Sequence, residues 1–249
     1  MKDKAFIIKE FKRVKKLGFV KSHRRNNTGI GKTFEDYIGV EENNVDEPDL
    51  VGFEIKAHRE VAQSYITLFT KCPSFPKGAN AFLRDKYGTP DEDNPDLKKL
   101  HTSIFANKSN TYANKYSFRL LNDKKNKCLY IAVYSLKNKR LLDHTCGYKY
   151  ADIEKVLKKK LKSLFYVSAK TKTDKKGVEF FHFNEADIYE SPSFEKFLDM
   201  LDKGLIMFDI RIGSYHSGKN YGKAHDHGSG FRILESNLCK LYSKHEKVE

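Results

Sequence analysis

Apolar residues recur at helical spacing near the N-terminus, where Ile7, Phe11, Val14 and Leu17 share one face. The spacing predicts an amphipathic helix over 4–17, with Asp3 as its cap and Gly18 as its stop. The pattern then changes. Residues 21–40 open as a basic, polar loop and run through two glycines into a short helix carrying Phe34, Glu35 and Ile38. After a turn rich in Asn, Asp and Pro at 43–48, residues 50–56 alternate. Val51, Phe53 and Ile55 fall on one side, and Gly52, Glu54 and Lys56 on the other. That alternation predicts a strand, and "SYITLFTK" (64–71) predicts a second strand paired with it.

Residues 73–126 are polar and rich in Lys, Asn and Asp, and they read as loops and irregular insertions. Residues 127–136 read as a strand. Residues 152–163 read as a helix that places Ile153, Val156, Leu157, Leu161 and Leu164 together. "SLFYVSAK" and "VEFFHF" follow as strands. From 191 to 204 a further helix is expected, with Ser191 as cap, Pro192 at its first position and Gly204 as stop. "LIMFDIRIG" then returns to alternation: Ile206, Phe208, Ile210 and Ile212 oppose Asp209 and Arg211. Arg232 falls on a returning strand. Strands and helices alternating in this way predict an α/β or α+β fold around a mixed sheet.

Length and cysteines narrow the class. A chain of 249 residues forms one large domain or two small ones and can bury a core without disulfides. Cys72, Cys128, Cys146 and Cys239 form no Cys-x-x-Cys pair and read as reduced thiols of a cytoplasmic protein. No apolar stretch reaches signal-peptide or transmembrane length. The net charge of +14 suits a polyanionic partner, nucleic acid or an acidic membrane, although a lysine-rich soluble surface would give the same number.

Two clusters carry chemistry. Glu54 and Lys56 leave the same face of their strand, and Asp49 stands at the turn into it. Two converging carboxylates make a hard oxygen site suited to Mg²⁺, and a lysine beside them can orient water or stabilise charge on a phosphate. Glu35 is a further carboxylate nearby, and the basic loop "KSHRRNNTG" could meet phosphates. A solvated Glu-x-Lys pair is the bland alternative. The second cluster, 208–233, carries Asp209, Arg211, Tyr215, His216, Lys219, Lys223, His225, Asp226, His227 and Arg232 among glycines. Such donors and acceptors can read base edges, and the lysines can neutralise backbone phosphates. A zinc pair at His225 and His227, a flexible surface loop, or a structural Asp209–Arg211 pair remain open here.

The segments "NTGIGKTFEDYIGVEENNVDEPDLVGFEIKAHRE", "TLFTKCPSFPKGAN", "DIRIGSYHSGK" and "GKAHDHGSGFRI" resemble the MvaI/BcnI family of type II restriction endonucleases. The resemblance implies a PD-(D/E)xK restriction-endonuclease-like fold: a mixed central sheet flanked by helices, in a single domain of residues 1–249 that is two-lobed around a DNA cleft. It also implies a relationship to the mismatch-repair nickase MutH. On this reading the catalytic motifs lie within 27–71 and the base-recognition segment is 205–234. Asp49, Glu54 and Lys56 are the catalytic trio, Glu35 is an additional active-site carboxylate, and Asp49 and Glu54 hold Mg²⁺. The expected activity is Mg²⁺-dependent cleavage of double-stranded DNA at a CCNGG-type site, CCWGG favoured, leaving 5′-phosphate and 3′-hydroxyl ends. A bacterial cytoplasmic monomer with a companion DNA methyltransferase completes the expectation. A MutH-like nickase and an inactive DNA-binding protein are the rivals.

Overall fold

The computed structural model describes residues 2–26, 28–40, 50, 52–60 and 65–249. The first elements are α1 (Lys2–Lys16), β1 (Val20–Lys21), α2 (Gly29–Ile38), β2 (Glu54–Arg59), β3 (Tyr65–Thr70) and α3 (Ala79–Tyr87). Next come β4 (Thr89–Pro90), β5 (Lys98–Ile104), β6 (Tyr116–Asp123), β7 (Cys128–Ser135), β8 (Leu141–Lys149) and α4 (Tyr150–Lys160). The chain continues through β9 (Ser163–Thr173), β10 (Glu179–Pro192), α5 (Phe194–Asp202) and β11 (Ile206–Ser214). It ends with β12 (Ala224–Asp226), β13 (Gly230–Leu234), α6 (Leu238–Leu241) and β14 (Tyr242–Val248). None of the described helices is long and apolar enough to cross a membrane.

The chain divides into two compact units. The first, residues 1–64, 156–193 and 238–249, is built on a sheet of order β1-β10-β9-β2, with β14 also paired to β10. Its β2–β9 pairing is parallel and its other pairings are antiparallel, so the sheet is mixed as expected. Strand alternation separates its two faces. Ile55, Phe165, Val167, Phe183, Ala186 and Ile188 point into a core completed by Ile7, Phe11 and Val14 of α1 and by Ile30, Phe34 and Ile38 of α2. Phe34 packs its ring between Phe165 and Phe183, which fixes α2 against the sheet.

The second unit, residues 65–155 and 194–237, holds a sheet of order β3-β13-β11-β5-β4, with β12 on β11. A separate antiparallel sheet runs β6-β7-β8. Phe208, Ile210, Ile212, Phe231 and Ile233 are buried on one side of the larger sheet.

Several elements differ from expectation, each for a local reason. Helix α1 begins at Lys2, so Asp3 lies inside its first turn, and Leu17 is exposed beyond the helix end. Phe53 makes a bridge with Leu50, and the strand proper starts at Glu54. β3 pairs with β13, not with β2, whose partner is β9. The stretch 73–126 holds α3, β5 and β6 rather than loops alone. Ser191 and Pro192 close β10, so α5 starts at Phe194 after Ser193. The expected turn at 43–48, together with Asp49 and Val51, lies outside the described residues.

Candidate active site and nucleic-acid interface

In the first unit β2 alternates cleanly. Ile55 goes to the core, while Glu54 and Lys56 share the opposite face. The two side chains meet directly, Lys56 Nζ donating to Glu54 Oε1. Glu54 is buried, and its register partner on β9 is the buried Leu164. An ionised carboxylate survives burial only when paired, and Lys56 supplies the pairing charge. Tyr242 of β14 belongs to this neighbourhood. Burial first, and then the charge of Glu54, hold its phenol protonated far above the usual range. Tyr166 and His58 add polar groups to the same face, with ring centroids 6.3 Å apart.

Glu35 sits on α2, half-buried, with Oε1 lying back along the helix toward Gly31. Asp49 lies outside the described residues. Among the described residues no group of three or more His, Cys, Asp or Glu side chains converges as a metal site.

In the second unit Asp209 organises the polar face of β11. Its Oδ1 accepts from Ser103 Oγ at 2.7 Å, and its Oδ2 accepts from Arg211 Nε at 2.7 Å. Arg232 Nε reaches the same Oδ2 at 3.0 Å. Arg232 also donates to Thr67 Oγ1 at 2.9 Å and to the Gly228 carbonyl at 3.4 Å. Among the described residues Arg211 is held through Nε, and it stands at an exposed position. A planar guanidinium held in this way presents two parallel donors.

The 224–229 hairpin is shaped by Asp226. Its Oδ1 accepts from the backbone N–H of Gly228 and Ser229, at 3.0 and 2.6 Å, and its Oδ2 from Asn80 Nδ2 at 2.8 Å. The Cys72 thiol reaches Oδ2 at 3.6 Å. Oδ1 thus shapes the hairpin, and Oδ2 ties it to Asn80 of α3. The rings of this region form a chain: Tyr215 stacks on His225 at 4.2 Å, and His225 meets His227 at 4.3 Å. His227 in turn lies 6.1 Å from His101 of β5. Gly213 permits this arrangement, since a Cβ there would stand 2.6 Å from His227 Nε2. Burial and then the Arg211 charge lower the pKa of His101; burial and then His225 lower that of His227. Both rings therefore stay neutral at pH 7, able to donate at one nitrogen and accept at the other. His216 approaches Asp91 at 3.6 Å, and Lys219 and Lys223 are exposed.

Sequence reasoning missed His101, Ser103, Thr67 and Asn80, which stand in the stretch it read as strand and loop without chemistry. It also missed Tyr242, His58 and Tyr166. Only His58 had a visible signal, two residues past Lys56 on the same alternation.

The family model of the MvaI/BcnI restriction endonucleases matches residues 8–242. A solved complex of the restriction endonuclease MvaI with its cognate DNA substrate is 33% identical to this chain. It superposes with a TM-score of 0.89, covering 98% of this chain and 97% of that one. The structure of MvaI in the absence of DNA, also at 33% identity, gives a TM-score of 0.66 over 100% of this chain and 98% of that one. Curated protein sequences give no match.

Proposed function

Since the chain belongs to the MvaI/BcnI restriction endonuclease family, we propose that it hydrolyses both strands of duplex DNA at a five-base-pair CCNGG-type site, CCWGG in the first instance, with Mg²⁺ as cofactor. One observation carries this reading. Glu54 and Lys56 are fixed in contact on one face of a strand whose other face is locked into a core.

Mg²⁺ takes oxygen ligands in octahedral geometry and commonly uses one or two carboxylates, with water and substrate phosphate filling the rest. Glu54 fits that donor set, and Asp49 is its partner in the reading. A bound divalent cation would supply Lewis acidity at the scissile phosphate. Lys56 keeps a positive charge beside that phosphate and orients the attacking water. Water attacks phosphorus in line, and the P–O3′ bond breaks. The departing oxygen takes a proton to become the 3′-hydroxyl, leaving the 5′-phosphate. Glu35 is a further active-site carboxylate.

Base reading is assigned to the polar face of β11 and its neighbours. Arg211, oriented by Asp209, is suited to the O6 and N7 acceptors of guanine, with Arg232 beside it. Neutral His227 can accept as well as donate, and His225, Tyr215 and His216 extend the same surface. Lys219 and Lys223 neutralise phosphates. Asp226 contributes by holding the hairpin.

The family resemblance favours a monomer, which with one catalytic pair per chain would cut the strands in separate events, with a companion methyltransferase protecting host sites. Incubation with supercoiled plasmid, with and without Mg²⁺, tests the whole reading. Nicked circles should rise first and linear fragments follow, only with the cation present. Sequencing of the ends should return CCWGG. Nicks without linear product would turn the assignment toward a nickase, and no cleavage at all would end it.

A further inference from the structure

A concave surface in the first unit lies outside the catalytic face described above. It is a cavity of about 640 Å³ lined by residues 21–26 and 176–179. Among the described lining residues, the formal charges are Lys21, Arg24, Arg25 and Lys176 against Glu179. Glu179 is already held by Arg59, through Nε at 3.1 Å and Nη2 at 2.8 Å. The histidine of the loop, His23, is bonded to Asp36 at 2.8 Å.

The basic loop is fastened at the backbone. Ser22 N donates to the Glu179 carbonyl, and His23 N donates to Thr33 Oγ1, both at 2.9 Å. Ser22 Oγ donates to the Arg24 carbonyl at 2.6 Å. The loop also presses on the start of α2 so closely that a Cβ on Gly29 would stand 2.2 Å from the Arg24 oxygen. The opposite wall is a tight turn, in which Asp174 Oδ1 accepts from the backbone N–H of Lys176 and Val178. A cationic surface on a backbone already in place loses little entropy when an anion docks.

Position identifies the anion. Arg59 Nη2 reaches the Asn26 carbonyl at 3.5 Å, so the loop lies at the end of β2, the strand that carries Lys56. Three residues of strand at about 3.3 Å each put roughly 10 Å of β2 between Lys56 and Arg59, and the odd spacing turns Arg59 to the other face, over the Phe181 ring, so the loop stands at least that far from Lys56. Duplex DNA advances about 3.4 Å per base pair, so that distance is about three steps. We propose that this surface grips the phosphate backbone of the duplex flanking the recognition sequence, about three or more base pairs from the scissile bond. The proposal rests on the assignment of DNA cleavage to Glu54 and Lys56.

The test compares two duplexes, one ending just outside the site and one with long flanks. Each is bound by the wild-type protein and by an Arg24→Ala, Arg25→Ala, Lys176→Ala variant over a salt series, in Ca²⁺ to prevent cleavage. On the long duplex the slope of log K against log salt should fall in magnitude by roughly 2 to 3 in the variant, about 0.9 for each lost phosphate contact. On the short duplex the two proteins should bind alike. An Arg24→Lys, Arg25→Lys variant should follow the wild type on both. Equal slopes on the long duplex would overturn the proposal. So would equal losses on both duplexes, or a lysine variant as weak as the alanine one, since either places the effect in loop structure or in the site itself. Wild-type protein that binds with flank dependence but never cuts in Mg²⁺ would instead count against the cleavage assignment.

Discussion

β2 and β11 carry the same local signature, an acid and a base two residues apart on one strand face, and the structure uses the two pairs differently. In both, the acid is sealed: the side-chain exposure is 2% for Glu54 and 1% for Asp209. The bases differ, Lys56 at 27% and Arg211 at 45%. The other contacts of the acid separate the two pairs further. Asp209 accepts from Ser103 and Arg211 and is ion-paired with Arg232, which makes it a bracket for two guanidinium groups. Glu54 has Lys56 on one oxygen, and its charge is felt by Tyr242. An acid committed to several fixed partners orients its neighbours. Glu54 has the flexible Lys56 beside it, whereas Asp209 stands between two guanidinium groups.

The sharpest break of this comparison is removal of either member of the β2 pair. Glu54→Gln or Lys56→Ala should each cost at least several kcal/mol at the transition state, on the order of a thousandfold or more in single-turnover cleavage. Specific binding in a gel-shift assay should largely persist. Turnover close to wild type in either variant would place the chemistry elsewhere.

On β11 the loss should appear in discrimination. Arg211→Ala should reduce the preference for the target over single-base variants by about 1–3 kcal/mol, and Arg232→Ala should act in the same direction. Asp209→Asn should resemble Arg211→Ala, and the double variant should add little, because the acid acts through the base. Uniform weakening on every sequence, with the specificity ratio intact, would make these residues backbone contacts.

Asp226→Ala removes the acceptor of two backbone N–H groups and of Asn80, and should destabilise the protein by about 1–3 kcal/mol in urea unfolding. A smaller effect belongs to Lys219→Ala, which should weaken binding to all DNA alike and reduce the salt slope by about 0.9. The gentlest effect is one of pH. His101 and His227 have pKa values lowered from the usual 6.5, so the unfolded chain binds their protons more readily. The stability they confer is complete above that value and is lost as pH falls through their lowered ones. His101→Gln should flatten the acid limb of a Tm-against-pH curve.

The parts legible in the sequence were those where alternation is strict. The β2 face, the β11 pattern and the return of Arg232 on β13 follow from period-two spacing alone. Strand pairing was not legible, since nothing local in β2 or β3 tells either that its neighbour lies far along the chain. β5 was hidden for a different reason. Of "KKLHTSI" only Leu100 and Ile104 are buried, because its other face belongs to the polar surface around Asp209. This polar face thus diluted the hydrophobic signal where His101 and Ser103 stand. Ser191 and Pro192 look like a helix start by composition, but pairing with β14 draws Pro192 into the strand.

The parallel pairing of β2 has a consequence for the protein while it is being made. The register partner of Glu54 is Leu164, more than a hundred residues later in the chain. At about 5–20 residues per second of translation, β2 waits roughly 5–20 seconds for the strand that will hold it. Until then Lys56 lacks the support of β9, so the face shared by Glu54 and Lys56 takes its final form only after residues 163–173 have been made.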